Sequence, residues 1–290
     1  MSTVAERRRA GDDDFAAERH VYEPHRGGLP PLLPYVRELW RRRHFAFELA
    51  RTNLRARHFN TTLGQLWLLV NPLLLAFVYF TLVTIVRGGS RGSEFLAHLM
   101  LGLFAFRFVR ASVRQGARSV VGGGRLILNM AFPRTLLPLA SVLTGLIRFL
   151  PMLLIYAVVH AIVGLPVGPH LLWSIPVFAL LVVFTTGVTM LVAAAQVYFR
   201  DLREFLTYLL RILLFASPIL YYAHEVPERL KPIVAANPLY PMLGSLSDIV
   251  NQGQNPSPGF LLATLAWAVG AFVVGALFFV SREREFAVRL

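Results

Sequence analysis

Arg107, Arg110, Arg114 and Arg118 recur every three or four residues through a stretch that is otherwise apolar, "FAFRFVRASVRQGAR". On a helix turning about 100° per residue they fall on one stripe, within roughly 80° of each other. Arg148 and Arg211 stand inside apolar runs of their own. A charge at bilayer depth is costly and normally faces protein, water or an anion. One reading of these arginines is therefore a basic path for a phosphate-bearing substrate, with Arg107, Arg110, Arg148 and Arg211 on it. Buried pairing is the alternative for those four. For Arg114 and Arg118 the alternative is snorkelling toward the inner headgroups. Aromatics are frequent in the same runs, among them Tyr79, Tyr156, Tyr221 and Tyr222. Sugars can slide on such rings, although tyrosine at the end of a span is also the usual interfacial belt.

Other chemistry is missing. A phosphate-binding Walker A loop needs a lysine that reaches the β- and γ-phosphates. The sole lysine, Lys231, follows Leu230 and sits in no such loop. "VVGGGR" at 120–125 lacks the lysine and reads as a hinge. No carboxylate falls deep within an apolar run: Glu94 is at the mouth of one, Asp201 and Glu204 are between two, and Asp248 is in a long polar-rich segment. That weakens proton or sodium coupling and metal-assisted glycosyl transfer alike. The histidines are scattered, with no metal-site spacing. There are no cysteines, so disulfides and thiolate ligands are excluded. No catalytic, cofactor-binding or metal-binding residue is expected.

The elements that must position the arginines are membrane helices. The chain has 290 residues, of which 56% are hydrophobic, and a mean hydropathy of +0.56. A helix needs roughly 20 apolar residues to cross the hydrocarbon. The candidate spans are 64–86, 95–114, 138–164, 172–197, 205–223 and 259–280. They make one integral membrane domain over 34–290 and leave no soluble domain to anchor. Residues 1–33 are polar, of mixed charge and without an apolar stretch after Arg7, Arg8 and Arg9, which predicts a disordered cytosolic tail and no signal peptide. Over 34–58, Arg37, Arg41, His44, Glu48, Arg51 and Arg55 share one face opposite Leu39, Ala46, Phe47, Ala50 and Leu54. That pattern predicts an amphipathic helix at the membrane surface. Segment 224–258 holds many prolines and apolar pieces too short to cross, which suits re-entrant or interfacial helices. The formal charge is +13. With the N-terminus inside, the outer segments hold only Arg87, Arg91, Arg229 and Lys231, and every other basic residue outside the spans is cytosolic. Both termini are therefore expected in the cytosol, and the charge reflects topology rather than nucleic-acid binding.

Four stretches now stand in order along this topology: "RTNLRARHFNTTLGQLWLLVNPLL" at 51–74, "LNMAFPRTLLPL" at 128–139, "VYFRDL" at 197–202 and "SPILYYAHEVPERLKPIVAANPLYPML" at 217–243. Together they resemble the membrane subunit of ABC exporters for polysaccharides, O-antigen and teichoic acid, the permeases often called Wzm or TagG. The likeness covers about 35–290. The preference for arginine over lysine is similar to actinobacterial proteins, where such a permease exports the lipid-linked galactan of the cell wall.

The resemblance implies a homodimer that forms a channel, with one ATPase subunit bound to each copy and ATP and magnesium held there. It implies a bacterial cytoplasmic-membrane location and a polyprenyl-pyrophosphate glycan as substrate. It also implies that the 115–137 hairpin couples to the ATPase through Asn129, Phe132, Pro133 and Arg134, with Arg200 and Asp201 near the same surface. Arg51 and Arg55 would meet the pyrophosphate at the inner leaflet, and Thr61, Thr62 and Gly64 would turn the interfacial helix into the first span. Alternatives are a permease for a drug or another lipid, and a membrane enzyme acting on polyprenyl lipids.

Overall fold

The computed structural model describes residues 31–55, 66–89 and 92–289. Most of the tail to residue 33, and the corner at Thr61, Thr62 and Gly64, lie outside the described residues. Every regular element among the described residues is helical. Two short helices come first, α1 (Leu32–Arg41) and α2 (Arg43–Arg55). Then follow α3 (Trp67–Arg87), α4 (Gly92–Gly122), α5 (Gly124–Asn129), α6 (Leu136–Val163) and α7 (Ser174–Tyr198). The chain ends with α8 (Leu202–Ala216), α9 (Lys231–Ala235), α10 (Leu239–Val250), α11 (Pro258–Arg282) and α12 (Phe286–Arg289).

Among the described residues four helices are long and apolar enough to cross a membrane: α4, α6, α7 and α11. α3 adds a shorter apolar stretch, Val70–Val86. The expected spans 138–164, 172–197 and 259–280 coincide with α6, α7 and α11 to within a few residues. The span expected at 95–114 belongs to a longer helix. At 31 residues α4 is about 46 Å long, against about 30 Å for the hydrocarbon, so an upright α4 is longer than the apolar layer is thick. The span expected at 205–223 needs correction. α8 stops at Ala216 after 15 residues, about 22 Å. Ser217 is extended ahead of Pro218, whose ring disfavours a helical residue before it.

The amphipathic helix expected over 34–58 is two helices, broken at Arg42. Arg42 turns its guanidinium to the Ala131 carbonyl, at 2.7 Å, and to Glu38. Ala46 and Ala50 are the buried side chains of α2 and let it lie close against the start of α6, at Leu136 and Ala140. Phe47, on the expected apolar face, is 49% exposed and takes no part in that contact.

α4 is the hub. It is buried along most of its length and packs against α3, α6, α7, α8 and α10. Small residues set how close the neighbours come. A Cβ on Gly116 would lie 2.1 Å from Thr189 Cγ2 on α7, and one on Gly145 of α6 would lie 2.2 Å from Ser112 Oγ on α4. α7 and α11 touch backbone to backbone: a Cβ on Gly275 would sit 2.0 Å from the Gly187 carbonyl oxygen. This is small-residue packing of membrane helices, where close approach of backbones supplies the contact energy. Gly270, on the same helix, meets nothing within 4 Å. Gly275→Leu is therefore expected to destabilise the purified full-length protein by about 1–3 kcal/mol, seen as a lower thermal midpoint in detergent. Gly270→Leu should leave the midpoint unchanged, and equal effects at both positions would refute the packing account.

Candidate functional site

The four-arginine stripe of α4 lines a cavity of about 430 Å³. α3 contributes Pro72 and Leu75 to its wall, α8 contributes Leu214, and α4 adds Leu103, Phe106, Ala111 and Gln115 between the arginines. Pro72 interrupts the hydrogen-bond ladder of α3 where its buried ring meets the cavity. Arg107, Arg110 and Arg114 are half-buried, and Arg118 is exposed at the end of the stripe. Among the described lining residues there is no carboxylate. Guanidinium groups spaced along one helical face repel each other unless water or an anion intervenes. A phosphate suits them best, because each fork can donate two parallel hydrogen bonds.

The other path residues divide. Arg211, exposed on α8, is within electrostatic reach of Arg110, as is Tyr79 on α3. Tyr79 also meets Phe215 edge-on, ring centroids 6.5 Å apart. Arg148 lines a narrow cleft on the α6 side, together with Arg107, Phe108 and Gly145. The stripe and its two outliers thus gather around one part of α4. Arg51 and Arg55 are exposed on α2 and line none of these cavities. Three further tyrosines assigned to the path do not line the α4 cavity and have partners of their own. Tyr156 is buried and donates to Asn251 Oδ1 at 2.7 Å. Tyr221 donates to the Ala216 carbonyl at 2.9 Å. Tyr222 packs on His98 and His224, centroids 4.4 and 5.2 Å away. Tyr156 thus ties α6 to Asn251 just after α10, and Tyr222 sets its own segment against α4 through His98.

A second cluster forms around the Met130–Thr135 turn between α5 and α6. Phe132 packs on Phe45 of α2, centroids 5.0 Å apart, and Pro133 is buried. Asn129 is exposed and donates to the Arg125 carbonyl at 2.8 Å. Leu128 and Met130 beside it are 63% and 49% exposed. Arg200 and Asp201 are exposed in the turn from α7 to α8, next to Phe199 at 68% exposure. A cleft of about 410 Å³ runs beside the 130–135 turn, lined also by Tyr35, Val280, Glu283 and Arg284.

Glu283 was not singled out from the sequence. It follows the end of α11 and is only 9% exposed. One carboxylate oxygen accepts from the Arg134 backbone N–H and the other from the Tyr35 hydroxyl. Arg134 in turn donates from its guanidinium to the Glu283 carbonyl. Burial pushes the Glu283 carboxyl above its ordinary range, against the opposing pull of Tyr35 and Arg134. Burial, and then the Glu283 charge, push the Tyr35 phenol up as well.

The pattern of the family described as ABC-2 type transporter matches residues 46–251. The chain belongs to that family. The match takes in the α4 cavity and both exposed turns; Tyr35 and Glu283 fall outside it. Curated relatives agree with the family. The chain is 29% identical over 265 residues to the O-antigen export system permease protein RfbA of Myxococcus xanthus, covering 88% of this chain and 99% of that one. It is 29% identical over 202 residues to the protein of the same description from Klebsiella pneumoniae, covering 69% and 78%. As an ABC-2 family member with four membrane-length helices, the chain is a multi-pass membrane transport subunit.

If Tyr156 serves packing, Tyr156→Phe should cost about 1 kcal/mol of stability, the usual worth of one hydrogen bond. Asn251→Ala should cost a similar amount, and the double variant little more than either. Fully additive losses in thermal unfolding would show that the pair does not act as a unit.

Proposed function

We propose that this chain is the transmembrane subunit of an ATP-driven exporter that moves a polyprenyl-pyrophosphate-linked polysaccharide out of the cytosol of a bacterium. The observation that carries this reading is the α4 cavity. Four arginines, with no carboxylate among the described lining residues, suit a pyrophosphate, and they occur in an ABC-2 family chain similar to O-antigen export permeases. Two copies form the channel, and each binds one ATPase subunit that holds ATP and magnesium. A lone lysine in no phosphate loop supports the need for that partner.

In this reading α3 and α8 join the four long helices to make six membrane segments. α8 is the short one, and α9 and α10 form the re-entrant part before α11. The arginine asymmetry supports both termini lying in the cytosol of the inner membrane. The pyrophosphate enters at the cytosolic end of α4, at Arg118 and Arg114, and is passed toward Arg110, Arg107 and Arg211. Each handover exchanges one set of charge-assisted hydrogen bonds for another, so no single site holds the ligand too tightly. Tyr79 and Phe215 offer apolar faces to the sugars that follow. ATP binding and hydrolysis in the partner push the 130–135 turn and the Arg200–Asp201 turn. Asn129, Leu128 and Met130 present the surface against which the partner bears.

Gentle purification of the tagged chain from its own membranes should bring down a near-equimolar subunit bearing a Walker A lysine. Recovery of the chain alone, or with a glycosyltransferase, would sink the exporter reading in favour of a membrane enzyme. The substrate class is tested by the Arg107→Gln, Arg110→Gln double variant. It should lower glycan export by at least about tenfold, from the loss of charge-assisted bonds, while membrane level and ATPase association persist. Loss of the chain should leave a lipid-linked glycan on the cytosolic side. A cell that accumulates no such glycan would point to a drug or another lipid as cargo.

A further inference from the structure

The sequence "SREREFAVRL" closes the chain with two glutamates two residues apart. Each is held by a tyrosine that belongs to a different part of the fold. Glu283 binds Tyr35 of α1, and Glu285 Oε2 accepts from Tyr198 Oη at 2.6 Å. Tyr198 ends α7 and stands two residues before Arg200. Arg289 lies over the Tyr198 ring, 4.4 Å from its centroid, and pairs with Glu285 at 3.6 Å. Between them Phe286 is fully buried against Phe279, centroids 5.2 Å apart, so the segment is anchored and not merely draped. At its other end the Glu283 carboxylate caps the turn after Phe132 through the Arg134 N–H. The Tyr35 hydroxyl has one proton, which it gives to Glu283, so the Thr135 hydroxyl must donate to Tyr35. A chain of bonds therefore runs from Thr135 through Tyr35 to Glu283.

We propose that residues 283–289 are a tie between two inter-helix turns, 130–135 and 199–203, with Glu283 and Tyr35 as positioning residues at one end and Glu285 and Tyr198 at the other. A push on either turn is delivered to both, and to α1 and α11 with them. The tie itself is a property of this chain; only its use, to pass an ATPase stroke to the helices, rests on the exporter reading.

Hydrogen exchange of the purified full chain tests the tie. Glu283→Ala should speed amide exchange at 130–135 and also at 199–203, by about tenfold, because loss of a contact opens a cooperative unit as a whole. Tyr35→Phe should do the same more weakly. Glu283→Gln should restore protection. Its amide oxygen can still accept from Arg134, and its amide N–H can donate to Tyr35, whose own proton then passes to Thr135. A rise confined to 130–135, or a glutamine no better than alanine, would overturn the proposal. If Glu283→Ala does not fold, Tyr35→Phe decides by the same two regions. In the complex, Tyr35→Phe should hydrolyse ATP at the normal rate while export falls about fivefold, a loss of coupling between sites. Parallel loss of both activities would mean a purely structural role and would also overturn it. Should the unaltered chain bring down no ATPase subunit, the exporter reading falls, and the exchange result still decides the tie.

Discussion

A guanidinium that enters an apolar layer can stay only where something polar keeps it company, and α4 is arranged around that demand. Arg107, Arg110 and Arg114 cannot face lipid, so the helix that bears them is placed at the centre and other helices are wrapped about it. On one side α6 and α7 press in closely. On the other, α3 and α8 stand off enough to leave a cavity into which the charges point. The rest of the architecture follows: α11 covers α7, α10 fills the gap beside α4 and α7, and the short helices α1 and α2 lie against the start of α6 and the turn before it.

The close side is made possible by the absence of side chains. Gly116, Gly145, Gly187 and Gly275 let backbones and small side chains meet where a single extra carbon would collide. In lipid there is little hydrophobic gain from bringing two apolar helices together, so contact of this kind has to supply the association energy. Three of the buried hydroxyls fit the same logic. Thr144, Thr185 and Ser141 donate to carbonyls one turn back in their own helices and need no partner across the interface.

Much of this was legible in the sequence, for reasons that differ by element. α6, α7 and α11 are long uninterrupted apolar runs, and run length alone fixes them. The α4 stripe was legible because a period of three and four in one charged residue type is a helical signature. α8 was overextended because "ASPILYY" is apolar; the weight belonged on Pro218, which ends the helix. Tyr156, Tyr221 and Tyr222 were assigned to the path because aromatic faces suit sugars, and their actual neighbours could not be read from the sequence. Their hydroxyl and ring partners, Asn251 and His98 among them, are distant in the chain. Glu283 was out of reach for the same reason: Tyr35 and Arg134 are 248 and 149 residues away. A polar residue just past a span is the commonest kind of surface position, and nothing local marks this one as buried. The family likeness singled out Arg134 and left its partner unseen.

The unequal packing around α4 has a mechanical meaning. Where Gly116 meets Thr189 and Gly145 meets Ser112 there is no slack, so α4, α6 and α7 can neither slide nor rotate against one another without collision. α3 has no such lock: it leans chiefly on α4 and leaves Phe77 and Val78 65% and 57% exposed. The cavity therefore has one closely locked wall, which carries the four arginines, and one wall without such a lock. A change of width that displaced α3 would leave the spacing of the charged surface intact.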